Sequence, residues 1–175
     1  MTFKKFGQET TLEDGTYQVP VTLMQAYKDE PSMGAGALEG TALVTIKEGT
    51  SSIQLTFKGV SIDVDGTGEK YGHLQQLWSY KEGSTVKDLT EANRSEVKVI
   101  QTYEDTDLAG GTSTFPQIFE LNRSTAEEET IYVRVKVDAM GDVQQDARLV
   151  FDYTEAVKAE ESEKIPAGNY IVPVQ

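Results

Sequence analysis

Cysteine is absent from this 175-residue chain, and histidine occurs once, as His73. Without cysteine there is no disulfide framework, no thiolate nucleophile and no iron–sulfur ligand set. With one histidine, any Ser–His–Asp arrangement would have to be built on His73, and no G-x-S-x-G elbow occurs. His73 itself reads as a half-exposed strand residue, and the chain reads as a non-enzyme. No run of about 18 apolar residues is present, so no helical membrane span is expected. The opening MTFKKFGQ lacks an apolar h-region, so targeting segments are expected to lie outside these residues. Basic residues are also scarce: 16 Lys and Arg stand against 29 Asp and Glu, a formal charge of −13. That balance speaks against nucleic acid and anionic membranes as partners, because phosphate contact needs a basic surface. The acidic excess reads as a solvated face that keeps the chain soluble.

Two weak motifs also fall short. Asp63, Asp65 and Gly66 resemble the opening of a calcium loop, but Thr67, Gly68 and Lys70 supply neither the spacing nor a closing bidentate Glu. Gly66 and Gly68 lack the helix and third glycine that phosphate binding needs.

What the chain has is alternation. With 15 Gly, 8 Tyr and 6 Phe among many Val and Thr, its composition favours strands and turns. Tyr17, Val19, Val21 and Leu23 share one strand face. Residues 41–47 and 52–58 repeat the pattern around a Gly49 hairpin signal. Gly59 then breaks the run before Val60, Ile62 and Val64. Further strands are expected at 71–80, 96–103, 117–121, 130–138 and 146–153, with loops near 81–95 and 104–116. The result is an all-β chain of about eight short strands, the pattern of a two-sheet sandwich.

The chain also opens and closes on one phrase, GTYQVPV at 15–21 and GNYIVPV at 168–174. Each copy reads as a turn entering a strand, with Pro near the strand start. Between them, EAVKAEESEKIPA is charged and poor in large apolar residues. The expected organisation is a lead at 1–10, one module at 11–154, and a charged linker with the start of a following repeat at 155–175. The alternative is two strands of one sheet sharing a pattern.

The segment 26–40, AYKDEPSMGAGALEG, turns small and Gly-rich after a clean strand. Small residues there would let a flat ligand approach the backbone. Met33 sits in its middle, and Met140 sits at the turn between the strands 130–138 and 146–153. Methionine usually fills core gaps, so two in turns are unusual. The bland reading keeps Met33 as a cap on the sandwich end and Met140 as a plug in the hairpin.

An ordered set of residues carries a resemblance. It comprises Asp14-Gly15-x-Tyr17-x-Val19-Pro20-Val21, Ser32-Met33-Gly34, Leu74-x-x-Leu77-Trp78, Phe115-Pro116, Tyr132 to Val137, and Ala147-Arg148-Leu149-x-Phe151-Asp152. Over roughly residues 11–154 the chain resembles the NEAT (near iron transporter) domains of Gram-positive surface proteins. The resemblance implies an immunoglobulin-like β-sandwich with a short lip helix after the first strand. It also implies haem capture or haemoprotein binding in iron acquisition, at the cell surface or wall, in tandem modules. Haem-binding members hold the porphyrin between the lip and the last hairpin, where a tyrosine of a Y-x-x-x-Y pattern ligates iron. Here the hairpin reads DAMGDVQQDARLVFD, without tyrosine, and Tyr153 falls too late.

Two readings follow. In one, Met33 and Met140 clasp haem iron from both sides, with Ser32, Gly34 and Ala35 shaping the lip. The walls would come from Val135, Val137 and Leu149, and the propionate cations from Lys28, Arg134, Lys136 or Arg148. In the other, the module binds no haem and contacts a host protein such as haemoglobin, or spaces its neighbours.

Overall fold

A computed structural model describes residues 12–32, 34–63, 66, 68–141 and 143–159. Met33, Val64, Asp65 and the closing GNYIVPV lie outside the described residues. Twelve strands are present among those described: β1 (Gly15–Gln25), β2 (Thr41–Lys47), β3 (Thr50–Thr56), β4 (Val60–Ile62), β5 (Lys70–Gly72), β6 (Leu74–Tyr80), β7 (Arg94–Glu96), β8 (Lys98–Thr106), β9 (Thr112–Arg123), β10 (Thr130–Val137), β11 (Gln144–Phe151) and β12 (Val157–Lys158). The hydrogen-bonded order is β7-β6-β10-β11-β1-β2-β3-β9-β8, with β12 on β1.

The path runs through both layers of a sandwich because β1 belongs to each. Its first half, Gly15 to Pro20, pairs with β2. Its second half, Val21 to Gln25, pairs with β11. Pro20 stands at the changeover, not near the strand start. Proline offers no N–H, so the ladder can end there without leaving a donor unpaired. Its carbonyl accepts from Asp152 N–H at 3.0 Å, and the next donor, Val21 N–H, reaches Gly40 O at 2.9 Å. The layers therefore share a strand, and their inner faces enclose one core. Val19, Val44, Ile53, Leu55, Leu77, Ile131, Val133 and Leu149 are fully buried in it.

Most expected strands are present; three differ. The run 71–80 divides at His73 into β5 and β6. The loop expected near 104–116 is shorter, since β8 and β9 form an extended hairpin across 98–123, and the one near 81–95 carries two 3-10 turns, Val86–Asp88 and Glu91–Asn93, before β7. Most of β8 is exposed, so its period-2 signal is weak. Phe115 and Pro116 lie within β9, not before it.

After β1 the chain doubles back through a Met24–Pro31 bridge and makes one 3-10 turn, Ala35–Ala37. This turn is the lip. It is anchored at both ends: Ser32 N–H donates to Leu23 O at 2.9 Å, and Lys58 N–H donates to Ala37 O at 2.8 Å. The β10–β11 hairpin closes through a second 3-10 turn, Asp138–Met140, ended by Gly141 at φ 73°. A positive φ there suits glycine, which carries no Cβ penalty.

That hairpin turn is seated on the β5–β6 junction. Asp138 N–H donates to His73 O at 3.1 Å, and His73 N–H returns a bond to Asp138 Oδ1 at 2.7 Å. The seat needs Gly72: a Cβ there would stand 2.6 Å from Ala139 Cβ and 3.1 Å from Asp138 Oδ1.

Two stability changes are expected. Gly72→Ala should displace the hairpin turn and cost about 1–3 kcal/mol. Ile53→Ala, at a fully buried position, should cost about 2–5 kcal/mol through lost burial and an unfilled cavity. Urea unfolding monitored at Trp78 checks both; unchanged midpoints would contradict this packing.

Candidate functional site

At one end of the sandwich the lip faces the hairpin turn. Between them is a narrow cleft lined by Leu23 of β1, Ser32, Gly34 and Ala37 of the lip, Phe57, Leu74 of β6, Val135 and Val137 of β10, Met140, and Gln145 of β11. The lip and hairpin nearly touch: a Cβ on Gly34 would lie 3.9 Å from Val137 Cγ2. The space inside is only about 10 Å³, room for about one water.

The expected site residues fall as follows. Met140 ends the hairpin turn, half-buried, with its side chain packed against the core and lining the cleft. Met33 itself lies outside the described residues, but both its neighbours, Ser32 and Gly34, line the cleft. Ser32 closes a tight local turn, its Oγ accepting from Gly34 N–H at 3.3 Å and its carbonyl from Ala35 N–H at 3.0 Å. Ala35 packs against the core, and Ala37, two residues further along the same turn, lines the cleft. Val135 and Val137 are wall residues, whereas Leu149 is buried in the shared core. Leu23, Phe57 and Leu74 complete the walls. Alternation marks such residues as inward, but not which inward residues reach an open end. Gln145 has only its position beside the hairpin turn to signal it.

The cations play a different part from the one expected of them. Arg148 Nε donates to Gln25 O at 2.9 Å, and its Nη2 reaches Asp29 Oδ1 at 2.6 Å and Lys28 O at 3.1 Å. It thus ties β11 to the start of the lip. Arg134 donates to Asp146 Oδ1 at 2.8 Å and to Gln144 Oε1 at 3.0 Å. Asp146 also accepts from Tyr80 at 2.5 Å and Tyr27 at 3.3 Å. Burial, then this bond to Asp146, pushes the Tyr80 phenol up. Tyr27, Arg134, Gln144 and Asp146 border an outer trough of about 420 Å³ that shares Ser32 and Gln145 with the cleft. Both arginines are committed to holding the cleft's frame together.

Tyr153 lies at the opposite end of β11 from Met140. It is buried, with its ring 5.9 Å from that of Phe151. It is a core residue of the far end, and burial pushes its phenol up.

His73 is not half-exposed. It is 2% accessible, stacked on Phe115 at 3.7 Å and 6°, with Nε2 2.9 Å from Asp105 Oδ2. A lone histidine beside a glycine gave no periodic sign of this. Asp105 is held down to about 2 by the bond to His73 first, then those from Tyr71 and Thr106 N–H.

No protein-family model matches the chain, and no curated protein matches it. Solved structures do. One is the NEAT5 domain of IsdX2, a B. anthracis hemophore, in complex with haem. It is 20% identical, with a TM-score of 0.53, over 82% of this chain and 99% of that one. Another is a mutant of IsdX2 NEAT5, also in complex with haem, 21% identical with a TM-score of 0.54 over the same shares. The fold of this chain, an immunoglobulin-like β-sandwich with a lip after its first strand, is that of a NEAT domain.

Proposed function

We propose that this domain binds haem as a module of a bacterial surface protein, capturing or relaying it for iron acquisition, and that Met33 and Met140 would hold its iron. One observation carries the reading: a cleft between lip and hairpin has a thioether at its rim and carbon on its walls. Met140 supplies the sulfur, and Leu23, Ala37, Phe57, Leu74, Val135 and Val137 supply the walls. Met33 lies in sequence between Ser32 and Gly34, which both line that cleft. The likeness to haem-bound NEAT domains adds support.

The donor set fits haem better than a bare metal ion. Among the described residues no cluster of three His, Cys, Asp or Glu side chains could hold a metal. Thioether sulfur is a soft, neutral ligand that suits haem iron and raises its reduction potential. Two such ligands would leave no open coordination position, which suits carriage rather than oxygen chemistry. Thioethers bind without losing a proton, so the ligands themselves bring no pH dependence. The walls fit a porphyrin face, but the cleft as it stands is closed, so lip and hairpin must separate to admit one. Lys28 is the propionate cation to test, because Arg134 and Arg148 already hold carboxylates of the chain. The setting we infer is extracellular, beside neighbouring modules of the same protein, with haemoglobin or another host haemoprotein as the haem source.

The closed cleft also favours a second reading, a NEAT-like module that contacts a host protein or spaces its neighbours without haem. Titration with hemin separates the two. A Soret band saturating at one equivalent is expected for haem binding; its absence moves the assignment to the second reading. Met33→Ala and Met140→Ala should each shift that band and weaken retention by at least the 10–100-fold that outer-shell partners of a metal cost. A band indifferent to both substitutions refutes the ligand assignment while leaving haem binding intact.

A further inference from the structure

His73 has no part in the cleft, yet it is buried directly beneath the hairpin turn that borders it. Five groups surround it. Asp105 and Tyr103 come from β8, with Tyr103 tilted at 6.2 Å. Tyr71 comes from β5, edge-on at 5.0 Å. Phe115 of β9 stacks on its face, and Asp138 approaches from the hairpin turn. Most of these keep one charge state. Tyr71 is pushed up to about 12, chiefly by its hydrogen bond to Asp105, burial raises Tyr103, and Asp105 stays a carboxylate.

An ionised Asp105 can only accept, so the proton of neutral His73 is assigned to Nε2. Nδ1 is then a bare lone pair. It is buried without a hydrogen-bond partner, and 3.9 Å away stands Asp138 Oδ2. A lone pair facing a carboxylate is unfavourable; an N–H⁺ there would form a charge-assisted bond. Imidazole is the side chain suited to exchange that proton near neutrality. Asp138 Oδ1 already holds His73 N–H. The second oxygen is the one left to respond, and Asp138 begins the turn that Met140 ends.

We propose that His73 is a proton-responsive positioning residue for the turn that carries Met140. Protonation at Nδ1 draws Asp138 Oδ2 onto the ring, so that both carboxylate oxygens are held and the turn is fixed at the mouth of the cleft. Loss of the proton restores the lone pair and loosens the turn. The coupling belongs to the apoprotein; only its consequence for haem rests on the function proposed above. With proton-free ligands, the part of any pH dependence of haem affinity that is lost in His73→Gln comes through His73, as binding about 5-fold tighter or more on the acid side.

The test is NMR of the apoprotein with labelled methionine methyls and histidine. His73 is the only histidine in the chain, so its titration needs no assignment. Between about pH 5 and 8, the Met140 methyl should move with the midpoint of the His73 ring, while Met24, on β1, stays still. His73→Gln, with Met24 unchanged as the sign of an intact fold, should abolish the movement. Asp138→Asn keeps an oxygen for His73 N–H, removes the charge, and should shrink the movement several-fold. A Met140 methyl indifferent to the His73 titration overturns the proposal, as does a His73 that does not titrate in this range. Movement that persists in both variants overturns it too. Failure of the haem reading shows separately, as a missing Soret band in a protein whose Met140 still follows His73.

Discussion

The changeover of β1 at Pro20 is the constraint on which the rest of the molecule depends. One strand serves two sheets, so the layers cannot slide or rotate independently. The end of β1 is delivered beside β11, and whatever follows β1 must begin at that edge. The lip follows β1, and the hairpin turn precedes β11. The antiparallel register, with Gln25 opposite Ala147, brings the two turns to the same end of the sandwich. Residues far apart in sequence line one cleft because a single ladder aligns the segments that carry them.

Period-2 alternation made most of this legible. Val19, Val21 and Leu23 point inward as their spacing requires, as do Ile131, Val133 and Val135. The signal failed where a strand lies at an edge or is interrupted. In β8, apolar and polar residues are alike exposed, so the long β8–β9 hairpin read as two short strands, 96–103 and 117–121, with a loop across its tip. At His73 the strand breaks where Gly72 admits the hairpin turn; that contact is made across the fold and leaves no local trace. The lip and both methionines stood out as turn residues with unusual chemistry. The closure of the cleft did not, because it depends on the distance between lip and hairpin. Nor did the engagement of Arg134 and Arg148, whose partners lie on other strands or in the preceding loop.

The acidic excess is distributed with consequence. Where the chain buries charge, it pairs it. Arg123, nearly inaccessible, donates through Nε and Nη2 to Glu128 at 2.7 and 2.9 Å and through Nη1 to Tyr80 O at 2.9 Å. This clamps β9 of one layer to the end of β6 in the other. Removing one member of such a set would strand a buried charge, which costs more than the pair contributes. Among the described residues three buried polar atoms lack a partner, the hydroxyls of Tyr103 and Tyr153 and one ring nitrogen of His73. Only the last belongs to a side chain that can take up a proton near neutrality. Unsatisfied buried atoms are few in folded proteins and call for a reason. For His73, its place between the core and the mouth of the cleft supplies one.

The two sides of the cleft are not equally free to move. The lip is bound through backbone at both ends, to Leu23 and to Lys58, and Arg148 fastens the segment leading into it. Displacing it would break ladder-like bonds in several elements at once. The hairpin turn is held at its outer end mainly by the exchange between Asp138 and His73 and by the fit of Ala139 over Gly72. Those contacts are fewer and partly electrostatic. A ligand wedge entering between Gly34 and Val137 would therefore push the hairpin side before the lip. The element that yields is the one carrying Met140, and the residue beneath it is the one whose proton sets how firmly it is held.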